Sequence, residues 1–332
     1  KKMHFHLDWV AWAMIAMVSI TVTRLSTKQL LYQHETSFVT VCQFVIALVC
    51  TLIVNRVNMT SLVSMRTAIS FLSGIATGFT TFFLNKSYTY ITNPGLPFMV
   101  YRLEIILSTV LSYLIFREVS LTWKNMIAMM VMLLSLFVLV KETPSTQLEK
   151  EENQQEGFSN TKVPNVSGRI DSWQGLWVQY AFFAALSCTV MVLTTKYVLL
   201  RSKDSKTHTT LQIGSAAVTM LLFYFLQEEK TQKEEENKIT ELTGLQPISA
   251  VLLLVVGLGY FGFMYALNSS MKISPNPGYT KSIVAGSTLV ISFVSQFMFQ
   301  KAMLTPIQWV SMVVATLCLG HIAQTPAMAH CH

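Results

Sequence analysis

The stretch LNKSYTYITNPG, residues Leu84–Gly95, recurs as LNSSMKISPNPG at Leu267–Gly278, 183 positions further along the chain. Six of the twelve positions are identical, and a long apolar run follows each copy. A second match occurs at a shift of 168, where Trp9–Leu31 and Trp177–Leu199 share eleven identities in 23 positions. Together the two matches indicate that the chain contains two copies of one large sequence unit.

The composition is that of a membrane protein. Of the 332 residues, 52% are hydrophobic and 12% are charged, about half the usual share of charge. Apolar runs of about 17–25 residues, the length at which a helix crosses a bilayer core, recur along the whole chain. We predict an all-α polytopic membrane protein with ten transmembrane helices, at Asp8–Leu25, Ser37–Val54, Thr67–Thr89, Pro94–Phe116, Leu121–Val140, Trp173–Leu199, Thr209–Leu226, Pro247–Ser269, Pro277–Phe299 and Thr305–Gly320.

Each copy of the unit contains five of these spans. An odd number of spans forces the second copy to cross the membrane in the opposite direction, which predicts two inverted five-helix repeats. Residues 1–140 form the first unit and residues 173–332 form the second. The polar stretch 141–172 between them, rich in Glu, Gln, Asn and Lys, is predicted to be a flexible linker.

The net charge of +7 does not indicate nucleic-acid binding, because the charges separate by loop. With a cytosolic N-terminus, the cytosolic segments hold ten Lys and Arg residues against three acids, and the acidic run 233–237, KEEEN, lies on the other side. This positive-inside pattern predicts that both termini are cytosolic. Lys28, at the end of the first span, is expected to snorkel to the interface. The expected partners are the lipid bilayer and a small-molecule solute, while homodimer formation and the host membrane stay open.

Signals of other protein classes are absent from the sequence. Four of the five cysteines lie inside predicted spans, which argues against a disulfide framework. The tail His330-Cys331-His332 is too short to form a closed metal site. The sequence contains no phosphate-binding loop of the Walker type, so ATP-driven pumping is not indicated. No acid–base or nucleophile pair is predicted inside a span, and no histidine lies deep in one. We therefore expect no enzyme activity, no cofactor and no metal.

The repeated phrase ends in a helix-start signal. Asn93-Pro94-Gly95 and Asn276-Pro277-Gly278 each place a capping residue before a proline at the first helical turn. Each is predicted to begin the fourth helix of its unit, and its glycine allows close packing. In an inverted repeat the two starts lie on opposite membrane faces. They are either tight connections between neighbouring spans or residues that also flank a gate.

Two long segments resemble one transporter family. NPGLPFMVYRLEIILSTVLSYLIFREVSLTWKN, Asn93–Asn125, and NPGYTKSIVAGSTLVISFVSQFMFQKAMLTPIQW, Asn276–Trp309, resemble the drug/metabolite transporter superfamily, specifically its ten-helix members with two EamA-type units. The sequence Phe116-Arg117-Glu118 fits the family pattern at the end of this helix, whereas the second unit departs from it with Lys301. SFVTVCQF, Ser37–Phe44, is similar to the second helix of nucleotide-sugar carriers.

The resemblance implies transport of small organic solutes or nucleotide-linked sugars by alternating access. It also implies a central cavity to which the first, third and fourth helices of each unit contribute.

Charged residues inside spans need a physical reason, because each costs about 2.5–3.5 kcal/mol at a helix centre. Arg102 and Glu104 lie eight and ten residues after Pro94, close to the midplane of the fourth span. Their i, i+2 spacing points them to different sides of the helix, so each requires a partner elsewhere. We predict that Arg102 binds the anionic part of a substrate, with Glu104 as a counter-charge or proton carrier. The alternative is a structural ion pair between helices.

Five further residues complete the predicted substrate site. Tyr101 and Tyr279 flank the charges and either stack on a ring of the solute or have packing and interfacial roles. Lys281, about 6 Å into the ninth span, is a second candidate cation unless it snorkels to the surface. Asn85 and Asn268 are related by the repeat and either contact a gate or form hydrogen bonds at helix ends.

The leading hypothesis is a secondary transporter that moves a small polar or anionic organic solute by alternating access. Two alternatives remain open: a nucleotide-sugar antiporter of an endomembrane, and a membrane scaffold that transports nothing. Loss of solute flux with normal folding in Arg102→Ala and Glu104→Gln variants would exclude the scaffold.

Overall fold

The computed structural model describes residues 2–55, 65–116, 122–143, 167–201, 205–230, 247–273, 277–299 and 303–323. The regular structure in these residues is α-helical throughout. The helices are α1 Lys2–Leu30, α2 Thr36–Asn55, α3 Met65–Thr89, α4 Gly95–Tyr101, α5 Leu103–Phe116, α6 Trp123–Lys141, α7 Ser167–Arg201, α8 Ser205–Lys230, α9 Pro247–Ile273, α10 Pro277–Ala285, α11 Ser287–Met298 and α12 Pro306–Ala323.

The helices have the length and surface of membrane spans. Within the described ranges, eight helical stretches are long and apolar enough to cross a bilayer, and two shorter apolar helices lie at Ile283–Met298 and Pro306–Ile322. Large apolar side chains such as Phe137, Phe297 and Leu317 are exposed, whereas many Ser, Thr and Asn side chains are buried. Lipid solvates such an exterior, and polar groups must then find partners inside. The prediction of an all-α polytopic membrane protein is confirmed.

Two of the predicted spans are broken near their middle. The fourth is divided into α4 and α5 at Arg102, whose N–H donates to Met99 O (3.0 Å) and whose carbonyl oxygen accepts from Ile105 N (2.9 Å). The ninth is divided into α10 and α11 at Gly286, whose N–H donates to Ile283 O at 3.0 Å. These are i→i−3 bonds of the 3₁₀ type, which replace the regular ladder and often mark functional positions. The sequence pattern predicts continuous helices at both places, so it misses these breaks.

The helices of the two sequence halves interlock. α1 packs along α9 and α3 packs along α7, and these are the most extensive helix contacts in the described structure. In addition, α2 lies against α8 and α9, α3 packs on α8, and α6 packs on α12. Each of these contacts joins a helix before residue 144 to a helix after residue 166. Much of the buried core therefore lies between the halves.

Several helix ends differ from the predicted boundaries, and two of these differences lie at α1 and α7. α1 continues to Leu30, five residues past the predicted end at Leu25. α7 begins at Ser167, so the last part of the predicted linker is helical. Residues 144–166 of that linker lie outside the described residues, as do Arg117, Glu118, Lys301 and the tail His330-Cys331-His332.

Candidate functional site

A small charged cavity lies between the two halves. It has a volume of about 30 Å³, and its charged lining residues are Arg24, Arg102, Glu104 and Lys281. The first three come from α1 and from the α4–α5 segment, and Lys281 comes from α10. A volume of this size accommodates water molecules but no organic solute.

Glu104 and Lys281 form a buried ion pair across the halves. Lys281 Nζ lies 2.5 Å from Glu104 Oε2, and their side chains are only 10% and 2% exposed. Of the two interpretations of Glu104, this contact is the one expected for a structural ion pair between helices. The alternative of a snorkelling Lys281 is wrong, because its ammonium points inward to the carboxylate. Removal of one partner of such a pair strongly destabilises the fold, because the other charge stays buried without a counter-charge.

Arg102 is bound to the broken helix of the other half. Its Nη2 donates to Val284 O at 3.0 Å and to Ser287 Oγ at 3.1 Å, and its Nε donates to Thr288 Oγ1 at 3.3 Å. These acceptors flank the break at Gly286, where the main chain leaves the regular helical hydrogen-bond pattern. The guanidinium also lies 4.3 Å from the centroid of the Phe98 ring. Arg102 therefore holds the turn between α10 and α11.

Arg24 is a buried cation that the sequence analysis misses. Its side chain is 3% exposed, and its Nη1 donates to Asn85 Oδ1 at 3.2 Å. The prediction ended the first span at Leu25, which placed Arg24 at the membrane interface. The repeat contains a signal for a longer first span. Its match pairs Leu31 with Leu199, and the sixth span is predicted to end at Leu199, so the first span is expected to end near Leu31. Lys28 is likewise buried and donates to Tyr88 O (2.7 Å), so its predicted snorkelling is wrong.

The repeat-related asparagines bridge helices. Asn85 Nδ2 donates to Thr40 Oγ1 at 3.0 Å, which links α3 to α2 while its Oδ1 receives Arg24. Asn268 Nδ2 donates to Thr209 Oγ1 at 2.8 Å, which links α9 to α8. Both side chains are buried several residues before their helices end. The alternative of hydrogen bonds at helix ends is therefore wrong for both residues.

A second polar cluster surrounds Gln212 on α8. Gln212 Nε2 donates to Ser73 Oγ at 3.0 Å and to Thr77 Oγ1 at 3.1 Å, and its Oε1 accepts from Asn268. His208, one turn earlier, is buried with Nδ1 at 2.9 Å from Ser70 Oγ. The sequence analysis placed His208 outside the seventh span, but α8 begins at Ser205. This cluster is a satisfied network that joins α3, α8 and α9.

The remaining predicted site residues differ in their surroundings. Tyr101 lines the cavity, stacks on Phe98 with ring centroids 5.5 Å apart, and places its Oη 2.8 Å from Cys188 Sγ. Pro277 and Gly278 lie at the start of α10, with the proline at the first helical position as predicted. Asn276 and the side chain of Tyr279 lie outside the described residues.

The first helix start lies against the other half. Asn93 Oδ1 accepts from Gly95 N at 2.9 Å, and Asn93 Nδ2 donates to Ser292 O at 3.4 Å. A Cβ atom on Gly95 would overlap the Ser292 hydroxyl and lie 2.9 Å from its Cα. α4 begins at Gly95 with Pro94 at the cap position, one residue later than predicted. The phrase therefore forms a close backbone contact between α4 and α11.

The site and fold together define an α-helical polytopic membrane protein with a charged cavity between its halves. Within the described residues, no group of three His, Cys, Asp or Glu side chains is arranged to hold a metal ion. One crystal structure of a protein aligns with 95% of this chain and 96% of that chain, with a TM-score of 0.52 and 12% sequence identity. This likeness shows a shared fold. Comparison with protein-family models and with curated proteins gives no match.

Proposed function

We propose that the protein is a secondary transporter that moves a small polar or anionic organic solute across a membrane by alternating access. The observation that carries this proposal is the charge of the central cavity, where Arg24, Arg102 and Lys281 accompany the acid Glu104. Ionisable groups at this depth are costly and are typically found on solute pathways. The excess of cations favours a solute with a carboxylate or phosphate group.

Equivalent contacts in the two halves support an inverted repeat of five spans. Asn85 donates to Thr40, and Asn268 donates to Thr209. The two threonines are 169 positions apart and the two asparagines are 183 positions apart, so the second contact repeats the first. The glycine contacts follow the same relation: Gly74 packs on Ser215, and Gly257 packs on Ile46. The repeat also relates α1 to α7 and α3 to α9, so the α1–α9 contact corresponds to the α3–α7 contact. Duplicated halves of opposite orientation are the usual architecture of secondary transporters.

The broken helices support a solute site at this depth. The breaks at Arg102 and Gly286 are 184 positions apart, within one residue of the shift that relates the repeated phrases. Transporters commonly bind solutes where paired helices are discontinuous near the membrane centre, because the unwound turns expose main-chain polar groups. Tyr101, Glu104 and Lys281 lie beside these turns and are the residues we propose to contact or gate the solute.

The contact of Asn93 and Gly95 with Ser292 supports a closed gate on one face of the membrane. Its repeat equivalent, at Asn276-Pro277-Gly278, is proposed to form the gate on the opposite face. With both termini in the cytosol, the Gly95 contact closes the non-cytosolic side. Opening one contact while the other forms would give alternating access to the cavity between them.

Among the alternatives, a nucleotide-sugar antiporter remains the second candidate. The basic lining of the cavity favours it, since a nucleotide-linked sugar carries phosphate groups. The resemblance of the whole chain to EamA-type drug/metabolite transporters is compatible with either solute class.

A solute screen followed by uptake tests the proposal. Detergent-purified full-length protein is heated with nucleotide sugars, sugar phosphates, amino acids and amines, and each compound that raises the unfolding temperature is then offered to proteoliposomes. We expect anionic compounds to stabilise the protein and to be taken up. Stabilisation by amines alone would contradict an anionic solute, and absence of flux for every stabilising compound would favour the scaffold.

A further inference from the structure

Nine buried polar side-chain atoms in the first half have no hydrogen-bond partner among the described residues, and four of them belong to His34, Asn55 and Asn125. The other five lie on α1, α2 and α3. They are Arg24 Nε, Thr27 Oγ1, Gln43 Nε2, Gln43 Oε1 and Tyr88 Oη. The four side chains are each at least nine-tenths buried. A buried polar group that lacks a hydrogen-bond partner is destabilising. A group of them points to a ligand that is bound at another stage of the cycle.

These atoms belong to residues that are linked by hydrogen bonds or lie one turn apart on the same helix. Arg24 and Thr27 lie on the same face of α1, three residues apart. Asn85 joins Arg24 to Thr40, and Gln43 lies one turn after Thr40 on α2. Tyr88 is one turn after Asn85 on α3, and its carbonyl oxygen accepts from Lys28, the residue after Thr27. The guanidinium of Arg24 also lines the central cavity.

Two of these four residues have polar counterparts in the second half, and both counterparts are hydrogen-bonded, whereas Arg24 and Tyr88 correspond to Val192 and Met271. Gln212, the counterpart of Gln43, donates to Ser73, Thr77 and Thr195 and accepts from Asn268. Thr195 is the counterpart of Thr27 at the 168 shift. The Gln and Thr side chains at these positions are therefore hydrogen-bonded in the second half and unpartnered in the first, where Arg24 stands at the position of Val192.

We propose that Arg24 holds the anionic group of the transported solute, in an oxyanion subsite that Thr27, Gln43 and Tyr88 complete. This inference rests on the proposed transport function and assigns its anion-binding residues. Guanidinium, amide and hydroxyl groups are all hydrogen-bond donors, and together they suit a carboxylate or phosphate. Arg102 instead holds the turn between α10 and α11, since its donors are directed to Val284, Ser287 and Thr288 of the other half.

The test measures anion binding by the full-length protein in detergent. Sodium phosphate and sodium succinate are titrated against the unfolding temperature, with sodium chloride at equal ionic strength as the reference. We expect one or both oxyanions to stabilise the wild type, and the stronger of the two to identify the chemical class. Arg24→Gln is expected to weaken this binding about tenfold to a hundredfold, the effect of losing a charged hydrogen bond. Lys124→Gln, an exposed position, serves as the control and keeps wild-type binding.

A pair of matched variants separates binding from structure. Gln43→Leu removes two unpartnered atoms, so it is expected to raise the unfolding temperature of the ligand-free protein while weakening oxyanion binding several-fold. Gln212→Leu breaks a satisfied network and is expected to lower the unfolding temperature. If Arg24→Gln does not fold, Arg24→Lys, which keeps the charge but loses the planar fork, is expected to show the same direction of weakening.

Three outcomes overturn the subsite: no response of the wild type to either oxyanion, a response retained within twofold in the Arg24 variants, or destabilisation by Gln43→Leu. The transport proposal fails separately, when no compound of the solute screen is taken up by proteoliposomes. Uptake that persists in Arg24→Gln with unchanged affinity would therefore reject the subsite and leave the transporter in place.

Discussion

Arg102 on the first half donates a 3.0 Å hydrogen bond from Nη2 to the main-chain oxygen of Val284 on the second half. Val284 lies two residues before the helix break at Gly286, so the guanidinium satisfies a carbonyl at the place where the helix is interrupted. The bond ties one half of the chain to the discontinuous helix of the other. It makes Arg102 a structural part of the cavity wall as well as a lining residue.

Replacing Arg102 should therefore lower stability. Arg102→Met removes three hydrogen bonds, although Val284 O still accepts from Ser287 Oγ. We expect a loss of about 1.5–3 kcal/mol in the free energy of unfolding. The measurement is thermal unfolding in detergent. Lys124→Met, an exposed lysine, is the control and should stay within about 0.5 kcal/mol of wild type. Equal stabilities of the two variants would contradict the role of Arg102.

The Glu104–Lys281 pair should show strong coupling in a double-mutant cycle. Glu104→Gln or Lys281→Met alone leaves one buried charge without its partner, at a cost of about 3–5 kcal/mol. The double variant carries neither charge, so it should be more stable than at least one single variant. Additive losses in the cycle would show that the two residues do not form an energetically coupled pair.

The close approach of Gly95 to Ser292 should make Gly95 intolerant of a side chain. Gly95→Ala is expected to lower the unfolding temperature, because its Cβ atom overlaps Ser292. Gly320→Ala is the matched control, since a Cβ atom there meets nothing within 4 Å, and it should leave stability unchanged or slightly raise it.

A second-site change checks the origin of the Gly95 effect. Ser292→Gly removes the overlapping hydroxyl and should restore part of the stability that Gly95→Ala loses. If Ser292→Gly has no effect in the Gly95→Ala background, the contact between α4 and α11 is not the cause.

The apolar runs allow the membrane class and most spans to be predicted, because a bilayer imposes the same length and hydropathy on every crossing. The ends of the spans are harder to predict. Arg24, Lys28 and His208 are buried, and each forms a hydrogen bond with a residue of α3. Local hydropathy does not distinguish a polar residue at the interface from one that a partner helix covers.

The helix breaks also depend on contacts between distant parts of the chain. Gly286 is visible in the sequence, but the break there is stabilised by Arg102, which is 184 positions away. The spacing of Arg102 and Glu104 correctly predicts that neither pairs with the other. Which partners they find depends on the packing of the two halves, and no local pattern encodes it.

The proposed transport by alternating access requires two halves that cross the membrane in opposite directions around a shared cavity. Thr89 and Lys272 are 183 positions apart, occupy equivalent positions after the repeated Leu-Asn, and are both exposed. The most direct measurement labels Thr89→Cys and Lys272→Cys variants, each in a Cys331→Ser background, with a membrane-impermeant thiol reagent in intact and permeabilised vesicles. We predict that the two positions react from opposite sides, Lys272→Cys from the side of the termini. Reaction of both from the same side would contradict the inverted repeat and the transport mechanism built on it.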